Sequence, residues 1–224
     1  MSFKLEKVNL IYDIGKEVQT YALKDINLTL EGNKLIGIMG PSGSGKSSLL
    51  YAMAGFKKPT SGKVFYNNSE YSSLNSSKKC DMRKQDFGFI FQRHFLIDYM
   101  TILDNILTPI NDDSKEAKVK AMELLEKFKL GHLAKKRPNQ LSGGQRQKVA
   151  IARALISDPK VIFADEPTAA LDHKSAKEVM GFLESFKEDR MIIVVTHDPS
   201  ILVNADSIIN MADGALVSAE SREG

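Results

Sequence analysis

"KLIGIMGPSGSGKSSLL", residues 34–50, decides the fold. Its first seven residues are almost continuously apolar, the mark of a strand buried on both faces. Gly40, Pro41, Ser42, Gly43, Ser44, Gly45, Lys46 and Ser47 then fit Gly-x-x-x-x-Gly-Lys-Ser, and "KSSLLYAMAG" (46–55) takes up helical spacing until Gly55 stops it. Strand, glycine turn and helix together aim backbone N–H groups at one anion, and the positive end of the helix dipole adds to them. The spacing predicts phosphate binding here, with Lys46 reaching the β- and γ-phosphates and the Ser47 hydroxyl holding Mg²⁺.

Working outward, "VNLIY" (8–12) and "DINLTLEG" (25–32) alternate apolar and polar residues as half-buried antiparallel strands do, with Ile26, Leu28 and Leu30 on one face. "GKVFYN" (62–67) and "FGFIFQ" (87–92) read as further strands. Residues 101–156 lack strand patterns and read as helices: Val119, Met122, Leu125 and Phe128 recur every three residues, and Pro138 breaks the segment. Strands and helices then alternate again, as "KVIFAD" (160–165), a helix over 173–187, "RMIIVVTH" (190–197), and a hairpin over 207–219 turning at Asp213-Gly214.

Three strand ends carry chemistry. "VIFADE" (161–166) sets Asp165 at the carboxyl edge of the sheet, where open α/β folds bind ligands. Asp165 can hold Mg²⁺ through water, and Glu166, pointing differently, can polarise an attacking water. His197 ends the next strand in "VVTHDP" (194–199), and Gln92 closes "FGFIF" in the same way. Far from these, "LSGGQ" (141–145) opens a second helix with a serine and two glycines but no Cys, His, Asp or Glu that could act as nucleophile, acid or base. Ser142 and the Gly143 and Gly144 amides at that helix start form a second anion-binding surface.

"GPSGSGKS", "FQ" (91–92), "LSGGQ", "VIFADEPT", "ALD" (170–172) and "TH" (196–197), in this order and spacing, resemble the nucleotide-binding subunit of ABC transporters over essentially the whole chain. Within that family, "GIMGPSGSGKSSLL" and "FGFIFQRHFLIDYMTILDNI" are similar to ATPases serving peptide, macrolide and lipoprotein exporters. The resemblance implies an α/β P-loop NTPase with a RecA-like core, an N-terminal antiparallel β-subdomain and a helical signature-motif subdomain. It implies a single domain, 1–224, with residues 1–92 and 157–224 forming the core and 93–156 the helical part.

By the same resemblance, Tyr12 stacks on adenine, with Tyr21 a weaker candidate, and Gly40 through Ser48 bind the phosphates. Gln92 senses Mg²⁺ and the water, Glu166 is the general base, and His197 stabilises the γ-phosphate. Ser142, Gly143, Gly144 and Gln145 of one copy close over ATP held by another, making a head-to-tail dimer. Asp172 sits in the loop joining the two sites. Many relatives carry Ser or Gly where Ala169 stands. A shared site is physically sensible: if the two turns lie on opposite sides of separate subdomains, one phosphate chain cannot easily use both turns of one molecule, whereas a second molecule can supply the other. Donors that arrive only on dimerisation can then gate phosphoryl transfer.

Bulk properties agree with such a subunit. Lys and Arg exceed Asp and Glu by 31 to 28, a net charge of +3 that does not argue for nucleic acid. No apolar run approaches the roughly 20 residues that span a bilayer, so the permease is expected to be a separate polypeptide. "MSFKLEKVNL" has no apolar signal core, and a single Cys80 excludes an internal disulfide. The expectation is an ATPase on the cytoplasmic face of the membrane, with ATP and Mg²⁺, a second copy and a permease as partners. A regulatory ATPase that signals through a membrane partner, as in cell-division relatives, fits the same motifs. Apolar residues in "HFLIDYMTIL" (94–103) fit either plain packing or contact with a membrane partner. "KKR" (135–137) reads as a solvated helix end. No Asn-Lys-x-Asp guanine-reading sequence occurs.

Overall fold

In the computed structural model, described over residues 1–13, 15, 19–169 and 171–221, the phosphate-loop strand is β3 (Leu35–Met39). It lies inside a six-stranded sheet with β6 (Phe87–Ile90), β7 (Val161–Asp165), β8 (Met191–Val195), β9 (Ser207–Ala212) and β10 (Ala215–Ser221). The order is β10-β9-β3-β8-β7-β6, and all neighbours are parallel except the β9–β10 hairpin. Every residue of β7 and β8 is buried, as a parallel sheet covered on both faces requires.

Alternation along these strands feeds two cores. Ile162, Ala164, Ile192 and Val194 face a core shared with helices α3 (Ile102–Leu107), α4 (Lys115–Lys127), α5 (Gly143–Leu155) and α6 (His173–Glu184). Val161, Phe163, Met191, Ile193 and Val195 face the other core. There they meet α1 (Lys46–Met53) and the inner face of an antiparallel sheet, whose order is β2-β1-β4-β5. Its strands are β1 (Ser2–Tyr12), β2 (Thr20–Glu31), β4 (Ser61–Tyr66) and β5 (Ser69–Glu70). Ile26, Leu28 and Leu30 all point inward, as the alternation predicts.

Four readings need correction. β1 begins at Ser2 rather than Val8, with Phe3 and Leu5 buried; Lys7, at φ 47°, makes a bulge that shifts the register between Leu5 and Val8 and hides the alternation. A helix, α2 (Ser76–Asp86), lies between β5 and β6; it buries no residue and starts on an Asn75 cap, so no apolar period announces it. On α4 the buried residues are Ala117, Ala121, Leu124 and Leu125, while Val119 is 58 % exposed. A repeat of three loses about 60° per step against 3.6 residues per turn, which carries Val119 off the packed face. Lys135, Lys136 and Arg137 are solvated, but they lie between two short 3₁₀ turns rather than at an α-helix end.

Candidate functional site

Gly45 shows why glycine is needed in the phosphate loop. It sits at φ 98°, and a Cβ there would lie 2.3 Å from the Ala22 carbonyl oxygen of β2. The loop is also tied to the β9–β10 turn, since Gly214 N donates to Ser44 O at 3.1 Å. A turn held from two sides presents its amides without further ordering.

Lys46 opens α1, 8 % exposed, with its ammonium donating to Gly40 O and Pro41 O, each at 2.8 Å. Among the described residues no carboxylate pairs with it, so the loop holds an uncompensated positive charge, as an anion site needs. Ser47 donates to Asp165 Oδ1 at 2.8 Å, bringing the hydroxyl and the strand-end carboxylate together. Asp165 is 4 % exposed, and its second oxygen accepts from the Tyr51 hydroxyl at 2.7 Å. Burial, then the Asp165 hydrogen bond and charge, push the Tyr51 phenol well above the ordinary tyrosine range.

Glu166 leaves the strand at φ 48°, which turns its side chain away from that of Asp165. Its backbone N–H still donates to Val195 O at 2.9 Å, so the sheet continues to its edge. Glu166 Oε1 lies 2.8 Å from His197 Nδ1, and Oε2 receives only a long 3.4 Å contact from the Thr196 hydroxyl.

Together these groups line an open cleft of about 610 Å³. Tyr12, Ser42 through Ser48, Gln92, Glu166 and His197 all face it, and Thr20 and Tyr21 add to the Tyr12 end. Tyr12 OH contacts Ser48 Oγ at 3.3 Å, and Lys57 Nζ sits 5.3 Å from the centre of its ring. Gly40 and Pro41 bracket the cleft as the acceptors of Lys46 rather than as lining residues.

Ser142, Gly143, Gly144 and Gln145 do not line the cleft. They form the first turn of α5: Gln145 N donates to Ser142 Oγ at 3.3 Å, and the Gln145 side chain accepts from Ser142 N at 2.9 Å. Because Ser142 Oγ accepts from the backbone, its proton is left for an outside acceptor. Asp172 is exposed and caps α6 through Ser175 N at 3.0 Å; that hydrogen bond holds its carboxyl below the usual range. Ala169 is exposed, and Ala170 lies outside the described residues.

Sequence reasoning missed Tyr51, Gln147 and Asn105, and gave Thr196 no role beyond its place in "TH" (196–197). Gln147, 1 % exposed, donates from Nε2 to Pro167 O at 2.8 Å, linking α5 to the loop after Glu166. Asn105 is fully buried; it accepts from Ile97 N at 2.7 Å and donates to Ile97 O and Thr101 O at 3.1 and 2.9 Å. Arg153 of α5 grips the same loop, donating to His94 O and Phe95 O at 2.6 Å each. So anchored, the loop after Gln92 packs Ile102 fully but leaves Phe95 and Tyr99 61 % and 75 % exposed.

The sequence matches the ABC transporter family over residues 23–169. It is 41 % identical over 210 residues to the macrolide export ATP-binding/permease protein MacB of Shewanella sp. (strain W3-18-1), covering 92 % of this chain and 32 % of that protein. Thus the chain spans about a third of that relative's length. It is 39 % identical over 217 residues to the lipoprotein-releasing system ATP-binding protein LolD 1 of Chlorobium chlorochromatii, covering 94 % of this chain and 88 % of that one. In structure it resembles a dimeric, post-hydrolysis state of the ATP-binding cassette MJ0796, from Methanocaldococcus jannaschii, bound to ADP and Pi. The TM-score is 0.93 at 38 % identity, over 99 % of both chains. With the phosphate loop, the strand-end acids and the capped "LSGGQ" helix in place, the conclusion is that this chain belongs to the ABC transporter family and is one of its ATPase cassettes.

Proposed function

We propose that the chain works as an ATP-dependent head-to-tail dimer that powers a separate membrane permease of exporter type from the cytoplasmic face of the membrane. The observation that carries this is a division of labour. Phosphate-loop, strand-end and aromatic groups share one cleft, while the second anion-binding turn, Ser142 to Gln145, lies outside it and offers an unused hydroxyl proton. A second copy can supply that turn to the first copy's cleft.

In this reading Tyr12 stacks on the base, Gly40 through Ser48 take the phosphates, and Lys46 moves from the Gly40 and Pro41 carbonyls to the β- and γ-phosphate oxygens. Glu166 Oε2 accepts the proton of the attacking water, whose oxygen bonds to the γ-phosphorus as the bond to the ADP oxygen breaks. His197, 70 % exposed, has room to turn toward the γ-phosphate, and Gln92 orders the water. Asp172, three residues after Ala169, sits in the loop joining the two sites, and residues 93–156 act as the helical part of a single domain.

The donor set fits Mg²⁺. Ser47 Oγ and Asp165 converge as hard oxygen donors, Ser47 to the ion and Asp165 through water, with Gln92 in the same cleft, and no cluster of three His, Cys, Asp or Glu side chains able to hold a metal occurs among the described residues. That is the pattern of an ion completed by phosphate oxygens and water. Bound there, Mg²⁺ would neutralise charge on the β- and γ-phosphates.

For the membrane partner, the support comes from relatives: MacB joins an ATP-binding part and a permease under one name, and LolD is named for lipoprotein release. Among the described residues no helix is long and apolar enough to cross a membrane. Glu166→Gln tests the dimer. It should bind ATP, lose phosphate release by at least about 100-fold, and elute as a dimer on size exclusion in ATP. A variant that stays monomeric at saturating ATP sinks the proposal.

A further inference from the structure

We propose that Tyr51 is a positioning residue for the metal site: its hydroxyl holds Asp165 by Oδ2, so that Oδ1 and Ser47 Oγ are presented together to the divalent cation. The inference rests on the reading above that Ser47 and Asp165 hold Mg²⁺.

Ser47 and Tyr51 are four residues apart on α1, so both side chains lie on one helix face. That face meets the end of β7, and each hydroxyl takes a different oxygen of the same carboxylate, at 2.8 and 2.7 Å. Hydrogen bonds to an ionised carboxylate are short and strong, and two of them fix its rotation as well as its position. Ser47 cannot do this alone, because its oxygen is also a metal ligand. Tyr51 has no such second duty.

The ring is placed by packing that does not depend on the hydroxyl. Phe89 lies 5.8 Å from it and Phe56 crosses it edge-on at 6.3 Å. Removing the oxygen therefore leaves the ring seated and frees one carboxylate oxygen. Groups that orient metal ligands in this way typically govern metal affinity by about 10–100-fold.

The experiment measures binding of a non-hydrolysable ATP analogue to the full chain, with Mg²⁺ titrated from EDTA upward, for the parent, Tyr51→Phe and Asp165→Asn. Tyr51→Phe should need about tenfold more Mg²⁺ for half-maximal tightening, while its affinity in EDTA stays within about twofold of the parent. Asp165→Asn should shift the Mg²⁺ requirement at least as far. If Asp165→Asn shifts and Tyr51→Phe does not, Tyr51 is only packing and the proposal falls alone. If neither shifts, the metal reading of Asp165 falls and takes the proposal with it. Equal weakening of Tyr51→Phe with and without Mg²⁺ also overturns the proposal, since the hydroxyl would then be supporting the phosphate loop.

Discussion

Gln147 Nε2 donates to the Pro167 carbonyl at 2.8 Å, and this bond latches the "LSGGQ" helix to the loop that carries Glu166. Both residues are buried, so losing the donor leaves a carbonyl without its partner in a dry place. Gln147→Leu should cost about 1–3 kcal/mol in urea unfolding. ATP turnover should fall more than nucleotide affinity, because the displaced group is Glu166 rather than Lys46. Equal losses in both would show that the latch serves the fold alone.

Lys46→Ala removes the buried cation and should weaken ATP binding by at least about 100-fold, as expected for a hydrogen bond and charge worth roughly 3 kcal/mol or more. Ser142→Arg blocks the turn on the other surface. Mixed together, the two inactive chains can rebuild one site from the intact cleft of the second and the intact turn of the first. Recovered ATPase activity in the mixture is the expected outcome. Its absence would mean that each chain works without its neighbour.

How much of this was legible in the sequence depends on how far each contact reaches. The phosphate loop, the "LSGGQ" cap and the strand-end acids are local patterns, and each element appears where its period and punctuation place it. Tyr51 is different: its partner lies 114 positions away, and nothing in "KSSLLYAMAG" marks its hydroxyl as anything but a polar tip on a core helix. Asn105 looks like an ordinary helix residue until the chain folds back eight positions onto it. The helix Ser76–Asp86 could not be read because it has no buried face, and Lys7 obscured its strand by taking a left-handed conformation that shifts the register. Long-range hydrogen bonds and bulges leave no periodic trace.

Asn105 should be the loop's main brace. Asn105→Ala strips hydrogen bonds to Ile97 and Thr101 and should lower stability by about 2–4 kcal/mol. Amide exchange should speed up at Ile97 and Met100 before it does in β7 or β8. Unchanged protection at Ile97 would show that Arg153 suffices.

His94 gives the chain a sensitivity to acid. Its Nε2 is buried without a hydrogen-bond partner among the described residues, and burial, then the Arg146 and Arg153 charges, hold its pKa below the usual histidine range. Above about pH 6.5 the ring is neutral in both folded and unfolded chains; below it, the unfolded chain takes up the proton more readily, so stability falls as pH drops. Melting temperature should decline between pH 7.5 and 5.5, and His94→Gln should decline less over the same range. Parallel slopes would assign the acid sensitivity elsewhere.

The order β10-β9-β3-β8-β7-β6 has a consequence for how the protein is made. β3 carries the phosphate loop, yet both of its neighbours, β8 and β9, come from much later in the chain, at Met191–Val195 and Ser207–Ala212. At about 5–20 residues per second a ribosome needs roughly 10–30 s to travel from the loop to those strands. During that interval an apolar strand and its glycine turn wait without a sheet to complete them. A chain that stops before β8 has the full phosphate-binding motif but neither of the strands that flank β3, so nucleotide capture should wait until β8 and β9 have been made.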